Sequence, residues 1–339
     1  MKQGSLPRFI LQRLLLVIPM IWVALTLVFV LLRVAPGDPV TALLGGHLSP
    51  AAIASRKAQL GLNKPLIDQY VDYLSSVAHL QFGTTFSDQL PVSEVIATNG
   101  GATLTLTVAA FIVALAIGIP LGLLAGRYRD TWFDVVVRLF GIVTYAAPVF
   151  FTGLLVQLFV APALGLATSG QASALVTVEV PTKTHILLLD AMLSGQWGGV
   201  LDILKHLFLP ALTLGILICG VFIRLVRVNI LQTMQSDYVE AAQARGIAPG
   251  KVLRRHAFRN ALVPVITVIG LQVALLLAGA VLTETTFNWP GLGYKLTQYI
   301  ENLDYGAVQG IITMFTVVII VVSLLVDIVG ALIDPRVRY

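Results

Sequence analysis

The sequence predicts an all-α membrane protein with six transmembrane helices, both termini cytoplasmic, and a long outer segment after the first helix. Three observations carry this expectation. Of 339 residues, 57% are hydrophobic and only 12% are charged, which gives a mean hydropathy of +0.89. Six apolar runs, at 9–32, 103–125, 139–164, 207–230, 262–283 and 306–329, reach or approach the 18 or more residues that match a hydrocarbon core of about 30 Å. Charge orients the chain: with the N-terminus inside, 15 of the 22 Lys and Arg fall on the cytoplasmic side and 11 of the 17 acids fall outside, as the positive-inside rule requires.

Lys2, Arg8 and Arg13 precede an uncharged run from Leu14 to Leu32. The run is too long for a signal peptide and lacks a small-residue cleavage site, so residues 1–32 read as a tail and a retained signal anchor. Residues 33–100 form the extracytoplasmic segment, far longer than an ordinary connection and therefore expected to carry structure of its own. Within it Leu66, Tyr70, Tyr73, Leu74 and Val77 recur at helical spacing, which predicts an amphipathic helix on the outer face. The remaining spans make a transmembrane core at 101–335. In the fourth span, Arg224 and Arg227 close the uncharged stretch and are expected to snorkel to the interface. Pro19, Pro120, Pro148 and Pro264 lie in or beside apolar runs, where a kink results because neighbours re-satisfy the freed carbonyl. Residues 168–205 are mixed, with a Val-rich ALVTVEV stretch compatible with extended backbone.

Several chemistries are missing. No Gly-x4-Gly-Lys-Ser/Thr loop occurs, so the chain has no P-loop for nucleotide phosphates. His47, His79, His185, His206 and His256 are scattered without an HExxH pattern, and no Gly-x-Ser-x-Gly elbow is present. Cys219 is the single cysteine and reads as a small buried hydrophobe. The net charge of +5 follows membrane orientation and is not laid out as a nucleic-acid face. An ion-coupled transporter keeps ionisable groups near the midplane, whereas the six runs are nearly free of them: apart from arginines towards their ends they hold only Asp327, read as an interfacial acid near Arg336 and Arg338. Their strong uncharged polar groups are Gln157, Gln272 and Asn229. Tyr145, Gln157 and Gln272 are candidates to line a translocation path, with interhelical hydrogen bonding as the alternative role. Three classes stay open: a transporter driven by a partner, a secondary transporter, and a receptor or scaffold subunit.

Residues 236–264 are the polar, basic exception between two apolar runs. Asp237 is placed to cap a helix whose third residue onward, Glu240, completes a capping box. Gly246 supplies a left-handed stop, and Pro249 suits the first turn of a second short helix. On this reading the segment is two short helices with a bend, and it is where a machine with neither fuel site nor ion site receives work.

This segment resembles the EAA signature of membrane-spanning subunits of bacterial ABC importers, with Glu240, Ala241, Ala242 and Gly246 in order. The wider chain resembles the B-type permease of the dipeptide/oligopeptide/nickel branch. The likeness includes PGDP from Pro36, LGLNKPLIDQYVDYL from Leu60, RNALVPVITVIGLQ from Arg259, TETTFNWPGLG from Thr283 and DPRVR from Asp334. The resemblance implies a multi-pass permease of the bacterial inner membrane that pairs with a homologous second permease, two ABC ATPase subunits and an extracytoplasmic binding protein. It further implies that Asp237, Glu240, Ala241, Ala242 and Gly246 belong to an element docking into an ATPase groove, and that ATP and Mg reside on the partners, with no cofactor on this chain. Di- or oligopeptides are the expected cargo, with nickel chelates, glutathione or opine-like solutes as alternatives. The chain departs from the general EAA pattern after the glycine, where His256, Ala257, Phe258 and Arg259 replace Ile-x-Leu-Pro and the next proline is Pro264.

Overall fold

The computed structural model describes residues 6–34, 50–59, 61–253 and 258–333. Among these, the structure is helical apart from one isolated antiparallel bridge between Thr84 and Pro91. Five helices are long and apolar enough to cross a membrane, and a bent pair supplies a sixth span. The PGDP stretch, Arg254, Arg255, His256 and the closing DPRVR lie outside the described residues.

The first span is α1 (Leu6–Val34). Two shorter helices follow, α2 (Pro50–Gln59) and α3 (Leu66–Ala78). The second span, α4 (Val92–Arg127), has 36 residues and is ~54 Å long at 1.5 Å per residue. It begins well before the apolar run at 103, because hydropathy marks only the part that lipid can cover while the helix itself continues into water.

The third span departs from expectation. The run at 139–164 predicts one helix with a kink, but the chain builds α5 (Trp132–Ala146) and then α6 (Val149–Leu155), with a bend of 108° between the two halves. Pro148 is the cause: its ring pushes the preceding residue out of the helical region, and Ala147 is extended at φ −72°, ψ 132°. A π turn at Val156–Val160 leads into α7 (Ala161–Leu164). Pro19 and Pro120 stay inside continuous helices, as does Pro210 in α10.

The Val-rich part of the stretch at 168–205 is helical, not extended. The stretch holds α8 (Ala174–Glu179), α9 (Leu187–Leu193) and the start of α10 (Trp197–Met234). Packing of Val176 and Val180 against Ala191, Val200 and Ile203 overrides the β preference of the valines. Asp202 Oδ2 accepts the N–H of Ser173 just before α8 (2.7 Å). The chain then runs through α11 (Asp237–Ala244), α12 (Pro249–Val252), α13 (Phe258–Ala261), α14 (Val263–Thr286), α15 (Leu292–Glu301) and α16 (Tyr305–Ile333).

The central helix is α10, buried along much of its length. It lies parallel to α4 through Gly118, Gly122 and Gly126. A Cβ at Gly122 would come within 2.7 Å of the Ile223 carbonyl oxygen, and one at Gly126 within 2.8 Å of Ile230 Cγ2. In lipid no hydrophobic force draws helices together, so close backbone packing must do it, and small residues every fourth position allow that approach. On other sides α10 meets α5 and α14 antiparallel: Gly141 faces Gly220, and Gly279 faces Leu214. The last span packs on α14 near Gly270 and Val326 and on α1, where Arg13 Nη1 meets Asp327 Oδ2 at 3.0 Å. Asp327 is therefore the partner of Arg13 on the first span, and the expected partners Arg336 and Arg338 lie outside the described residues.

These directions place the end of α4, the start of α5 and the whole of α11 to α13 on one face, here the basic face. The far face carries α2, α3, α8, α9 and α15. Large apolar side chains remain exposed along α1, α5 and α6, among them Ile18, Leu31, Ile142, Val143 and Phe151. Such a belt is unstable in water and suits lipid or a second membrane subunit. On the far face α3 behaves as an amphipathic helix. Tyr70, Tyr73, Leu74 and Val77 are half-buried, with Tyr70 hydroxyl 2.6 Å from Thr26 Oγ1 and Tyr73 hydroxyl 2.7 Å from Thr313 Oγ1. Leu66 is instead exposed, since it opens the helix before α3 reaches α1.

Candidate functional site

On the basic face α10 hands over directly to α11. The handover is not the expected capping box. Ser236 occupies the N-cap position without a side-chain cap bond, because its hydroxyl turns back to the Thr233 carbonyl of the preceding helix (2.5 Å). Asp237 is the first helical residue and Glu240 stands in the same first turn. There the two carboxylates face the positive end of the helix dipole.

The exit of α11 follows the sequence closely. Gly246 has φ +75°, its N–H bonds the Gln243 carbonyl at 2.9 Å, and the Ile247 N–H bonds the Ala242 carbonyl at 3.3 Å. This pair of bonds is the Schellman arrangement, which satisfies carbonyls that a helix end leaves orphaned. Ile247 then packs with Val239, Ala242 and Val252, joined by Met234 at the end of α10. Pro249 opens α12 as expected. The bend is thus held by a small apolar core and is not a loose loop.

That core sorts the predicted site residues by exposure. Val239 and Ala242 point inward, while Asp237, Glu240, Ala241, Gln243, Arg245 and Gly246 are exposed. Ala242 serves the packing, and the outward face is acidic at its start and small in its middle. Among the described residues Glu240 has no side-chain partner, so its charge is available to a cationic group from elsewhere. A short rigid helix, flat at Ala241 and charged at Glu240, has the shape to enter a groove on another protein.

Just above this element Arg227 does not snorkel. It grips Asp134 in a bidentate pair, Nε to Oδ1 at 2.6 Å and Nη2 to Oδ2 at 2.7 Å. Asp134 is fully buried, also accepts the Asp130 N–H at 3.1 Å, and has Arg138 Nε 3.6 Å away. A buried carboxylate needs such a partner, since the penalty for taking a lone charge from water is several kcal/mol or more. The pair joins the helix that carries α11 to the start of the broken third span.

The three candidate path residues are not gathered on one surface. Tyr145 is exposed at the end of α5. Gln157 is half-buried in the π turn and donates its Nε2 to the carbonyls of Thr168 (3.0 Å) and Thr286 (2.9 Å), so it staples the third span to the fifth. Gln272 is 2% exposed within α14, and its Oε1 has no hydrogen-bond partner.

The far face holds buried carboxylates that sequence reasoning passed over. Glu284 lies one residue beyond the expected end of the fifth span, yet it belongs to α14 and is fully buried. Asp304 is also buried. It accepts from Phe86 N (2.6 Å), Ser87 N (2.9 Å), Ser87 Oγ (2.6 Å) and Ala307 N (3.0 Å), fastening the outer segment to the start of α16. Beside it Tyr299 donates its hydroxyl to Asp88 Oδ2 (3.1 Å). Burial first, then the neighbouring Asp88 carboxylate, pushes its phenol pKa up. The TETTFNWPGLG motif was the signal available for Glu284, and Gly-x3-Gly-x3-Gly at 118–126 was the signal available for the α4–α10 contact. Among the described residues no group of three His, Cys, Asp or Glu is placed to hold a metal ion.

Comparison with known proteins bears on the whole chain. Residues 118–339 match the model of the binding-protein-dependent transport system inner membrane component. Residues 6–107 match the N-terminal model of the same membrane component. The chain belongs to this family. It is therefore a membrane permease subunit of an ABC transport system and not an enzyme, a multi-pass protein of the bacterial inner membrane. As in the family generally, it works with a partner permease, an ATPase and a binding protein. The permease is similar to the dipeptide transport system permease protein DppB of Escherichia coli (strain K12), with 39% identity over 335 residues, 98% of this chain and 99% of the relative. It is also similar to the di/tripeptide transport system permease protein DppB of Pseudomonas aeruginosa (strain UCBPP-PA14), 39% identical over 333 residues and 98% of each chain. The glutathione transport system permease protein GsiC of Salmonella choleraesuis (strain SC-B67) is 33% identical over 332 residues, 98% of this chain and 99% of that one.

Proposed function

We propose that this permease forms, with a homologous second permease, the path by which an ATP-driven importer takes up di- and oligopeptides delivered by an extracytoplasmic binding protein. In this reading the basic face is cytoplasmic, residues 33–100 are extracytoplasmic, and two ATPase subunits carry the ATP and Mg. The observation that carries it is the outward face of α11. An exposed Glu240, unpartnered among the described residues, and a small Ala241 stand on a helix locked at its C-terminal end by the Gly246 turn, at the tip of the most buried span. Work delivered there enters α10 directly, because α11 is only two residues from Met234 and Met234 packs into the core of the bend.

Transport then proceeds by alternating access. ATP closes the ATPases around α11 of each permease, the displaced α10 carries α4 and α5 with it, and the path opens toward the binding protein. Hydrolysis lets the grooves part and the path face the cytoplasm. Discrete packed arrangements transmit such a change better than a pliable loop. The peptide assignment is supported by the names of the dipeptide and di/tripeptide relatives, and the glutathione relative fits the same chemical class, a short peptide with free carboxylates.

The test is uptake of a labelled dipeptide by proteoliposomes holding the permease pair, its ATPases and its binding protein. Uptake is expected to require ATP inside the cytoplasmic compartment and the binding protein outside, and to be competed by other short peptides. Uptake that survives without the ATPases and collapses with an ion gradient would establish a secondary transporter instead.

A further inference from the structure

The far end of α14 holds a motif, residues 283–293, that the transport cycle described above leaves without a role. Glu284 sits there fully buried. Thr103 on α4 donates its hydroxyl to Oε1 at 2.7 Å, and the Tyr294 N–H in the first turn of α15 donates to Oε2 at 2.9 Å. Thr103 Oγ1 in turn accepts the Leu292 N–H at 2.8 Å. Trp289, equally buried, gives its indole N–H to the Ala102 carbonyl at 2.9 Å, and Asn99 Nδ2 reaches the Pro290 carbonyl at 3.0 Å. Three elements, α4, α14 and α15, therefore converge on one carboxylate.

The chemistry of the site asks for a carboxylate. The groups that reach Glu284 are all donors: the Thr103 hydroxyl and the Gly293 and Tyr294 N–H groups of the opening turn of α15, which a helix start leaves without intrahelical partners. An acceptor-only side chain satisfies them, whereas the amide of an isosteric glutamine turns a donor toward a donor. Space is equally restricted. A Cβ at Gly291 would overlap the carboxylate, and one at Gly293 would lie 2.5 Å from Val281 Cα, so the Pro-Gly-Leu-Gly turn closes only around Glu284. Beyond the carboxylate, α15 buries Leu292, Leu296 and Tyr299 against Val95 and Ile311, which extends the joined region to the start of the last span.

We propose that Glu284 is a positioning residue of the transport cycle: it pins the far ends of α4 and α14 to α15 as one rigid block, which swings as a unit when the path opens to the binding protein. It touches no cargo. Its role is to make two spans answer together to a pull that arrives through α10.

Paired spin labels test this in the complete transporter, reconstituted with its ATPases and binding protein in lipid nanodiscs. Cysteines replace Ser93 of α4 and Ile300 of α15, both exposed, while Cys219 is buried. The label distance is expected to be the same without nucleotide and with a trapped ATP analogue. Glu284→Gln, equal in volume, is expected to broaden that distance and lower uptake per assembled complex about tenfold, the effect of leaving a buried donor unsatisfied. A shift of the wild-type distance between the two states overturns the proposal, as does a Gln variant with wild-type distance and uptake. If the Gln variant does not assemble, the wild-type label pair decides alone. Failure of all ATP-driven uptake in the wild type is a different result and bears on the importer reading, not on the block.

Discussion

Gly246 makes the strictest local demand in the proposed coupling element, because its φ of +75° is a conformation that costs most side chains about 1–2 kcal/mol. A Cβ there meets nothing within 4 Å, so the demand is conformational and not steric. Gly246→Asn is therefore expected to keep most uptake and Gly246→Val to lose it at equal membrane level, measured by transport per inserted permease. Asp190, on the far face, makes a different demand. Burial raises its pKa, but the Thr184 hydroxyl and the Thr184 and Lys183 N–H groups outweigh that, and the net shift is downward. Its stabilisation is thus complete above the unfolded carboxylate pKa of about 4 and is lost as pH falls through the lower folded value. Thermal melting of Asp190→Asn should lie below wild type at pH 7 and converge with it below that range.

At this scale the sequence was most legible where one residue meets one local rule. Gly246 and Pro249 stand where their backbone preferences put them. The Asp237 cap failed because Asp237 is already the first helical residue and Ser236, at the N-cap, gives its hydroxyl to the Thr233 carbonyl; a capping pattern does not reveal which helix a hydroxyl will serve. Arg227 and Glu284 were misread or missed for a related reason. Their partners, Asp134 and Thr103, are distant in the chain, and only the fold brings them together.

Among elements, the contact of α4 with α10 and the break of the third span decide the architecture. Gly122→Leu would drive a side chain into the Ile223 carbonyl, which lies 2.7 Å from a Cβ at that position. It is expected to reduce recovery of folded permease in detergent far more than Leu at Gly198, where a Cβ meets nothing. Removing Arg227 strips buried Asp134 of its bidentate partner and leaves only Arg138, 3.6 Å away, so Arg227→Ala is expected to cost about 3 kcal/mol, the lower end of the range for a buried charge that loses its partner. The reversed pair, Asp134→Arg with Arg227→Asp, should recover part of that loss in thermal stability; no recovery would mean the pair is not the source of the effect. Hydropathy located every span but not their true lengths or the break, since it registers lipid contact and neither the aqueous ends of α4 and α10 nor the turn that Pro148 imposes.

For the molecule as a whole, the exposed apolar belt, the buried central helix and the capped far face describe a subunit built to sit beside lipid and a second permease. In the proposed cycle a soluble ATPase is met at a small helical tip. Class follows from composition, and the proposed orientation rests on charge; both are sums over many residues. The path is not legible in the same way: Tyr145, Gln157 and Gln272 were chosen for polarity, but in this arrangement one is exposed, one is a staple and one is buried. A path shared by two subunits is shaped by surfaces that no single chain displays.

The central claim is that ATP-derived work enters through the exposed face of α11. Glu240→Lys tests it most directly, since at this exposed position reversing the charge at the helix N-terminus costs folding only about 1 kcal/mol. In proteoliposomes containing the full transporter, the variant should insert and assemble normally, while dipeptide uptake and binding-protein-stimulated ATP hydrolysis fall about tenfold or more, or about 1.4 kcal/mol of lost coupling. Uptake at the wild-type rate would contradict the claim and place the ATPase contact elsewhere.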